Sequence, residues 1–243
     1  PPSLELTANT FIMNRVFTLL FILPVIFFAS CNSNEIGSSN DVNPEAIYFD
    51  YKIWGEEAND NLTVKLQYRF GGENGTTLTI EKPAKVELDD ELVPIDSSKM
   101  TGAFYEIQKP IKKFAGEHTI TFTAINEKQY REKFSFQPLQ LRTLLPEVLK
   151  RGKMLLEVDG MDAEGFVRVI LTDTLFASEG INRLQTVKNG QIIITAEDLK
   201  SLVNGPIQLE LIKEDERPVK NGTREGGRLS ISYGLKREFI LVD

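Results

Sequence analysis

One cysteine, one histidine and one tryptophan in 243 residues exclude more than any motif asserts. A single cysteine, Cys31, cannot form a disulfide within the chain, and thiolate metal sites that need several cysteines are out of reach. A single histidine, His118, leaves no second imidazole for a metal and no H-E-x-x-H pair. Basic residues are outnumbered, 28 Lys and Arg against 35 Asp and Glu, for a net charge of −7. Phosphate backbones recruit a surplus of Lys and Arg, so nucleic acid is not an expected partner. No Ser is followed three residues later by Lys, and no G-x-S-x-G elbow occurs. Gly160 to Gly165 has the spacing of a phosphate-binding loop, but Phe166 stands where that loop needs Lys, so the segment reads as a turn. Neither a cofactor nor catalysis is expected, and the chain reads as a non-enzyme.

What is present is enough for a core: 41% hydrophobic residues and 15 Phe. Met13-Asn14-Arg15 precedes the apolar run VFTLLFILPVIFF, Val16 to Phe28. Thirteen helical residues span roughly 20 Å, short of a hydrocarbon core, so residues 1–30 read as a secretory signal peptide. The residues before Met13 read as upstream sequence rather than structure. The exit, Phe28-Ala29-Ser30-Cys31, resembles the lipobox of bacterial lipoproteins, with Phe28 departing from the usual Leu. The resemblance implies that Cys31 is diacylated and becomes the first mature residue, anchored in the cell envelope, with the outer membrane as the expected site. Residues 31–45, polar through NSNEIGSSNDVNPE, are expected to form a flexible lipidated tether.

Beyond the tether the hydrophobic period switches to two, the mark of half-buried strands. In IYFDYKIW, Ile47, Phe49, Tyr51 and Ile53 share the inward face, leaving Tyr48, Asp50, Lys52 and Trp54 outward. In LTVKLQYRF, Leu62, Val64, Leu66, Tyr68 and Phe70 alternate with polar residues. TTLTI, VELDDELVPI with a turn at Asp89-Asp90, AFYEI, HTITFTAI and YREKFSF extend the series. Gly116-Glu117-His118-Thr119-Ile120-Thr121-Phe122-Thr123-Ala124 resembles the penultimate strand of bacterial Ig-like domains, and VELDDELVPI their central hairpin. That resemblance implies a sandwich but no activity. Pro138 interrupts the pattern. LPEVLK is open between strand and helix. Later come MLLEV, FVRVIL, a turn at Asn189-Gly190, a capping-box helix opening at Thr195, and the strands IQLELI, RLSISY and REFILVD. The expected fold is all-β: two tandem Ig-like β-sandwiches, 46–137 and 138–243, the second with one short helix. Residues 46–137 are expected to fold without the second half.

Candidate functional residues are few. Trp54 and Tyr48, outward on one strand, suit stacking on a sugar ring. Asp173-Thr174-Leu175 resembles an Asp-Ser/Thr-aliphatic O-glycosylation site, which would place the glycan on Thr174. Two acidic clusters, Glu56, Glu57, Asn59, Asp60 and Asn61, and Asp159, Asp162 and Glu164, have calcium-type ligands without EF-hand spacing, so no metal site is assigned. His118, in a threonine-rich strand, is expected to be structural. The function expected from the sequence is a lipid-anchored binding or scaffolding module for a glycan, an adhesion surface or an envelope protein. The alternative is a structural accessory subunit of an envelope complex with no ligand of its own.

Overall fold

The computed structural model describes residues 36–161, 165–175 and 180–243, all within the unit Glu35–Asp243. The signal peptide, Cys31, Asp162 and Glu164 lie outside the described residues. In chain order the strands are β1 (Ile36–Ser38), β2 (Ile47–Glu56), β3 (Asn61–Phe70), β4 (Thr76–Thr79), β5 (Lys85–Leu88), β6 (Glu91–Leu92), β7 (Ile95–Ser98), β8 (Gly102–Pro110) and β9 (Gly116–Thr123). They continue with β10 (Gln129–Phe136), β11 (Gln140–Leu141), β12 (Val148–Lys150), β13 (Met154–Asp159), β14 (Phe166–Thr172), β15 (Ile181–Thr186), β16 (Gln191–Ile194), β17 (Gly205–Pro218) and β18 (Gly227–Val242). Among the described residues the one α-helix is α1 (Ala196–Lys200), which follows β16. The chain is all-β, as the alternation predicts.

The turns follow their sequence chemistry. Asp89 and Asp90 both take positive φ, 50° and 66°, which matches the twist of a tight hairpin between β5 and β6. Thr195 caps α1 in a reciprocal capping box with Asp198, satisfying backbone donors that a helix start otherwise leaves unpaired. LPEVLK supplies β12, parallel to β18, rather than a helix.

The expected tether is shorter than its composition suggests. From Ile36 onward the chain is fastened to the body: β1 pairs in parallel with β4, and the buried Ser39 accepts the Glu81 N–H at 3.1 Å. Glu45 accepts from Lys128 Nζ at 2.6 Å and from the Tyr130 hydroxyl at 2.7 Å. Ser, Asn and Glu in a polar tract therefore act here as partners for backbone and side chains rather than as solvated linker.

In the first half, an extended sheet carrying β4, β3, β2 and β8 faces the four-stranded sheet β10-β9-β5-β6. Phe49 and Tyr68 from one sheet meet Phe122 from the other, with ring centroids 5.4 and 4.9 Å apart. In the second half, β17, β14 and β15 share a core with β11, β13 and β16, filled by Leu156, Val167, Val169, Leu171, Ile192, Ile194, Leu209 and Leu211. The sheet is continuous across residue 138. Gly227–Gly234 of β18 pair in parallel with Phe49–Glu56 of β2, and its last residues, Ile240–Val242, pair in parallel with β12. Leu229 and Ile231 sit opposite Tyr51 and Ile53, so the first half completes its inward face with residues from the far end of the chain. Glu132, 2% exposed, locks this arrangement. Its carboxylate accepts from Arg217 at 2.5 Å and from the Lys220 and Asn221 N–H groups at 2.8 and 3.2 Å.

Candidate functional site

Strand parity places Trp54 on the outer face of the long sheet, 39% exposed. Its register neighbours are Thr63 on β3 and Ser232 on β18, two short hydroxyl side chains that leave the indole uncovered on either flank. Two residues farther along, Glu56 stands opposite Gly234. A groove of about 290 Å³ opens there, lined by Glu56, Glu57, Ala58, Gly234, Leu235, Lys236 and Arg237. Gly234 is what hollows it: a Cβ built at this position would have its nearest neighbours 4.0 Å away, at Glu56, Ile212 and Leu211. The position has room for a side chain and carries none.

Three of the groove's charges, Glu57, Lys236 and Arg237, are held in ion pairs. Arg237 grips Glu57 through both guanidinium nitrogens, Nη2 to Oε1 at 3.0 Å. The hydrogen bond from Arg237 to Glu57 stabilises the guanidinium and raises its pKa further above its usual value. Lys236 lies 3.5 Å from Glu210. An apolar indole face bordered by hydroxyls, carboxylates and fixed cations offers stacking and hydrogen bonding together, the combination that a polar ring ligand takes. Nothing in this set constitutes a nucleophile beside a base.

The residues singled out from sequence are distributed unevenly around this groove. Tyr48 shares the outward face but lies six residues from Trp54, about 20 Å along the strand. It is half-buried, and burial together with Glu73 pushes its phenol pKa upward. The two aromatics therefore do not form one platform. Asp50, expected outward beside Trp54, is buried under Arg228, Arg69 and Lys52, at 3.3, 3.9 and 3.7 Å, and serves the sheet. Thr174 is exposed on a bend after β14. Asp173 shapes that bend, accepting the Leu175 N–H at 2.9 Å and the Val203 N–H at 3.0 Å.

The structure also brings together parts of the two acidic clusters. Glu57, Asn59 and Asp60 face Asp159 across a cleft of about 810 Å³ between the halves, with Gln137, Gln140 and Tyr233 among its walls. Asp159 is paired with Arg142 at 3.4 Å and Glu57 with Arg237, so two of these carboxylates already have cations. Among the described residues no group of three His, Cys, Asp or Glu side chains is placed to hold a metal ion. His118 stacks on Phe114 at 3.7 Å, with Nδ1 2.6 Å from Asp89 and Nε2 2.8 Å from the Phe114 carbonyl. Both ring nitrogens face acceptors, and the ring bridges the β5–β6 turn to the start of β9.

Sequence reading missed the groove because Gly234, Lys236 and Arg237 reach Glu56 only through a pairing about 180 residues apart. The available signal was Gly234 itself, a glycine inside the otherwise alternating ISYGLKREF, a place where a strand leaves space.

No family model matches the chain, and no curated protein matches it. Among solved structures, the IG1+IG2 part of DIP-gamma is 10% identical, over 78% of this chain and 97% of that one, with a TM-score of 0.23. A structure described as giving insight into host cell surface retention of a 1.5-MDa bacterial ice-binding adhesin is 9% identical, over 82% and 66%, with a TM-score of 0.26. The Bacteroides ovatus mixed-linkage glucan utilization locus protein SGBP-B, solved with a mixed-linkage heptasaccharide, is 8% identical, over 85% and 65%, with a TM-score of 0.18. All three scores are low, and the fold and groove stand on this chain's own geometry.

Proposed function

We infer that the protein is a non-enzymatic, lipid-anchored envelope module that binds a glycan along the outer sheet face at Trp54. The observation that carries this is the exposed indole beside a groove floored by Gly234. The anchor is Cys31, whose lipobox-like context supports acylation and retention in the envelope, at the outer membrane. One sugar ring stacks on Trp54 and the next enters the groove, where Glu56 and Lys236 meet its hydroxyls. A single such contact is weak, so display of many copies on one membrane raises the effective affinity.

Intrinsic fluorescence tests the site because Trp54 is the chain's one tryptophan. Titration with neutral oligosaccharides is expected to shift its emission. Trp54→Ala removes binding, measured by calorimetry, and Gly234→Ala weakens it by placing a Cβ on the groove floor without a clash. Unchanged emission and unchanged calorimetry across a glycan panel would reject the glycan reading.

The accessory-subunit reading draws on one observation. β15 is the outer strand of the long sheet, and Leu184 on it and Phe166 on β14 are both about half exposed. An unpaired strand edge with apolar neighbours suits a protein partner. Cross-linking from position 184 to an envelope protein would favour it.

A further inference from the structure

We propose that the end of the molecule where β1 begins rests on the lipid surface, through an apolar rim formed by Ile36, Phe70, Met100 and Ile125. The proposal rests on Cys31 as the acylated residue and adds a second, non-covalent contact and an orientation.

The length of chain outside the described residues sets the first constraint. Cys31 precedes Ile36 by five residues, and five extended residues reach at most about 18 Å. Ile36 is already fixed, paired with Thr77 at the edge of the sheet. An acyl chain buried at Cys31 therefore holds this end of the body against the bilayer, whatever path the intervening residues take.

Register supplies the second constraint. Thr77 pairs with Arg69, and Thr76 with Phe70, so Ile36 and Phe70 lie at the same end. Extending the Leu66–Tyr105 register of β3 and β8 puts the turn between β7 and β8, with Met100 at its tip, at that end as well. The Ala103 N–H donating to Thr77 Oγ1 at 2.9 Å ties this turn to β4. Ile125 lies in the β9–β10 turn, whose Lys128 bonds Glu45 just before β2 begins.

Exposure supplies the third. Met100 is 87% exposed, Phe70 45%, Ile36 44% and Ile125 37%. Phe70 closes a strand whose other inward-parity residues, Leu62 to Tyr68, are fully buried. Four large apolar side chains at the end nearest an acyl anchor match what an interfacial contact buries. Among the described residues no helix is long and apolar enough to cross a membrane, so the contact is peripheral. In this orientation Trp54 stands seven residues up from the rim along the sheet, about 23 Å, and the β17–β18 turn, whose Glu225 N–H donates to the Glu45 carbonyl at 3.2 Å, comes down to the same end.

The test uses the full chain, processed and acylated in a Gram-negative host and reconstituted into phosphatidylethanolamine–phosphatidylglycerol vesicles. Met100→Cys supplies one free thiol for an environment-sensitive dye. Leu175→Cys, exposed and in the second half, is the control. The Met100 label is expected to be quenched several-fold more by doxyl lipids, and less by aqueous iodide, than the Leu175 label. Mass spectrometry of the N-terminal peptide separates the two ways of failing. If the peptide is acylated and both labels respond alike, the membrane-facing rim is rejected while the anchor stands. If the peptide carries no acyl chain, anchor and rim fall together. If the Met100 label is protected equally in detergent, in proportion to protein concentration, the rim is a contact between copies and the lipid assignment is wrong.

Discussion

Residues 46–137 carry seven Phe, five Tyr and Trp54, whereas residues 138–243 carry Phe166, Phe176, Tyr233 and Phe239. Even Tyr233 belongs to the part of β18 that pairs with β2 and meets Phe136 at 5.9 Å. The first core is thus aromatic and the second aliphatic. Phenols give the first core polar handles without charge. Tyr105 accepts the Ile80 N–H at 2.5 Å, and Tyr130 donates to Glu45, so rings that fill the sandwich also fasten its loops. The second half does that work with arginines on its surface. Arg183 holds Asp198, and Arg151 donates to the Leu202 carbonyl at 3.0 Å. The halves also differ in dependence, since the first closes its sheet with a strand that the second extends.

The largest effect expected from breaking this arrangement is loss of the strand. A fragment of residues 36–137 keeps β3 on one side of β2 but leaves its other edge unpaired from Phe49 to Glu56, and removes Leu229, Ile231 and Tyr233 from the core. It is expected to aggregate, as exposed apolar strand edges do. Supplying the Gly205–Gly234 hairpin on a linker is expected to restore dispersed amide signals. A well-dispersed spectrum from the fragment alone would show that β18 is dispensable there.

Next in size is an unpaired charge in the aromatic core. Leu66 is fully buried, and Leu66→Asp is expected to cost about 3–5 kcal/mol. Near-UV circular dichroism reports mainly the aromatic half and far-UV both. Because β18 runs through the two, both signals are expected to melt together. A far-UV transition surviving after the near-UV signal is gone would mean that the halves unfold separately.

Alkali sharpens the contrast further. Burial pushes the Tyr51 and Tyr68 phenols far above their ordinary value of 10.0. A folded pKa above the unfolded one gives stability that is full below about pH 10 and lost as pH rises. Each phenol contributes about 1.4 kcal/mol per pH unit in that window. Tyr51→Phe is expected to lower that slope by one proton's worth, read from urea midpoints between pH 9 and 11.

A charge-dependent effect is expected where the halves are latched. Glu132→Gln keeps the volume but leaves Arg217 without its carboxylate, for a cost of about 2–3 kcal/mol. A change in thermal midpoint no larger than that of Lys133→Gln, an exposed neighbour, would show that the latch is ornamental.

The aromatic half was the more legible one in the sequence. The faces of IYFDYKIW and LTVKLQYRF came out correctly from Ile47 to Ile53 and Leu62 to Tyr68, because a period of two leaves one register that buries them. Phe70 was assigned inward by the same rule yet is half exposed, since parity fixes a side and not the strand's length. Gln67 sits on the polar face and is buried, its amide donating to the Thr101 and Ala103 carbonyls at 2.8 and 3.2 Å. The β2–β18 pairing was not legible at all. Alternation marks what a strand buries but not which strand lies beside it, and the groove at Gly234 depends on that partner. Ser39 and Glu45 were hidden for a different reason, since polar residues bonding to a sheet have the same composition as a linker.

The smallest effect belongs to the second half, at the start of α1. Burial pushes the Asp198 carboxyl up, but hydrogen bonds from Arg183 and from Thr195 outweigh it, leaving the pKa below the ordinary 3.8. The geometry accounts for this: Arg183 Nη2 lies 2.9 Å from Oδ2, and the Thr195 N–H donates to the same oxygen at 2.7 Å. A folded pKa below the unfolded one gives stability that is complete above about pH 4 and lost as pH falls through the folded value. Asp198→Asn retains an oxygen for the cap but loses the charge facing Arg183, and is expected to cost about 1 kcal/mol at neutral pH. The difference in unfolding free energy between the two proteins, followed by urea titration, should hold steady from pH 7 to 5. It should then shrink below pH 4 as the native carboxylate is protonated. A difference that persists unchanged to pH 2 would assign the loss to packing at the helix start rather than to charge.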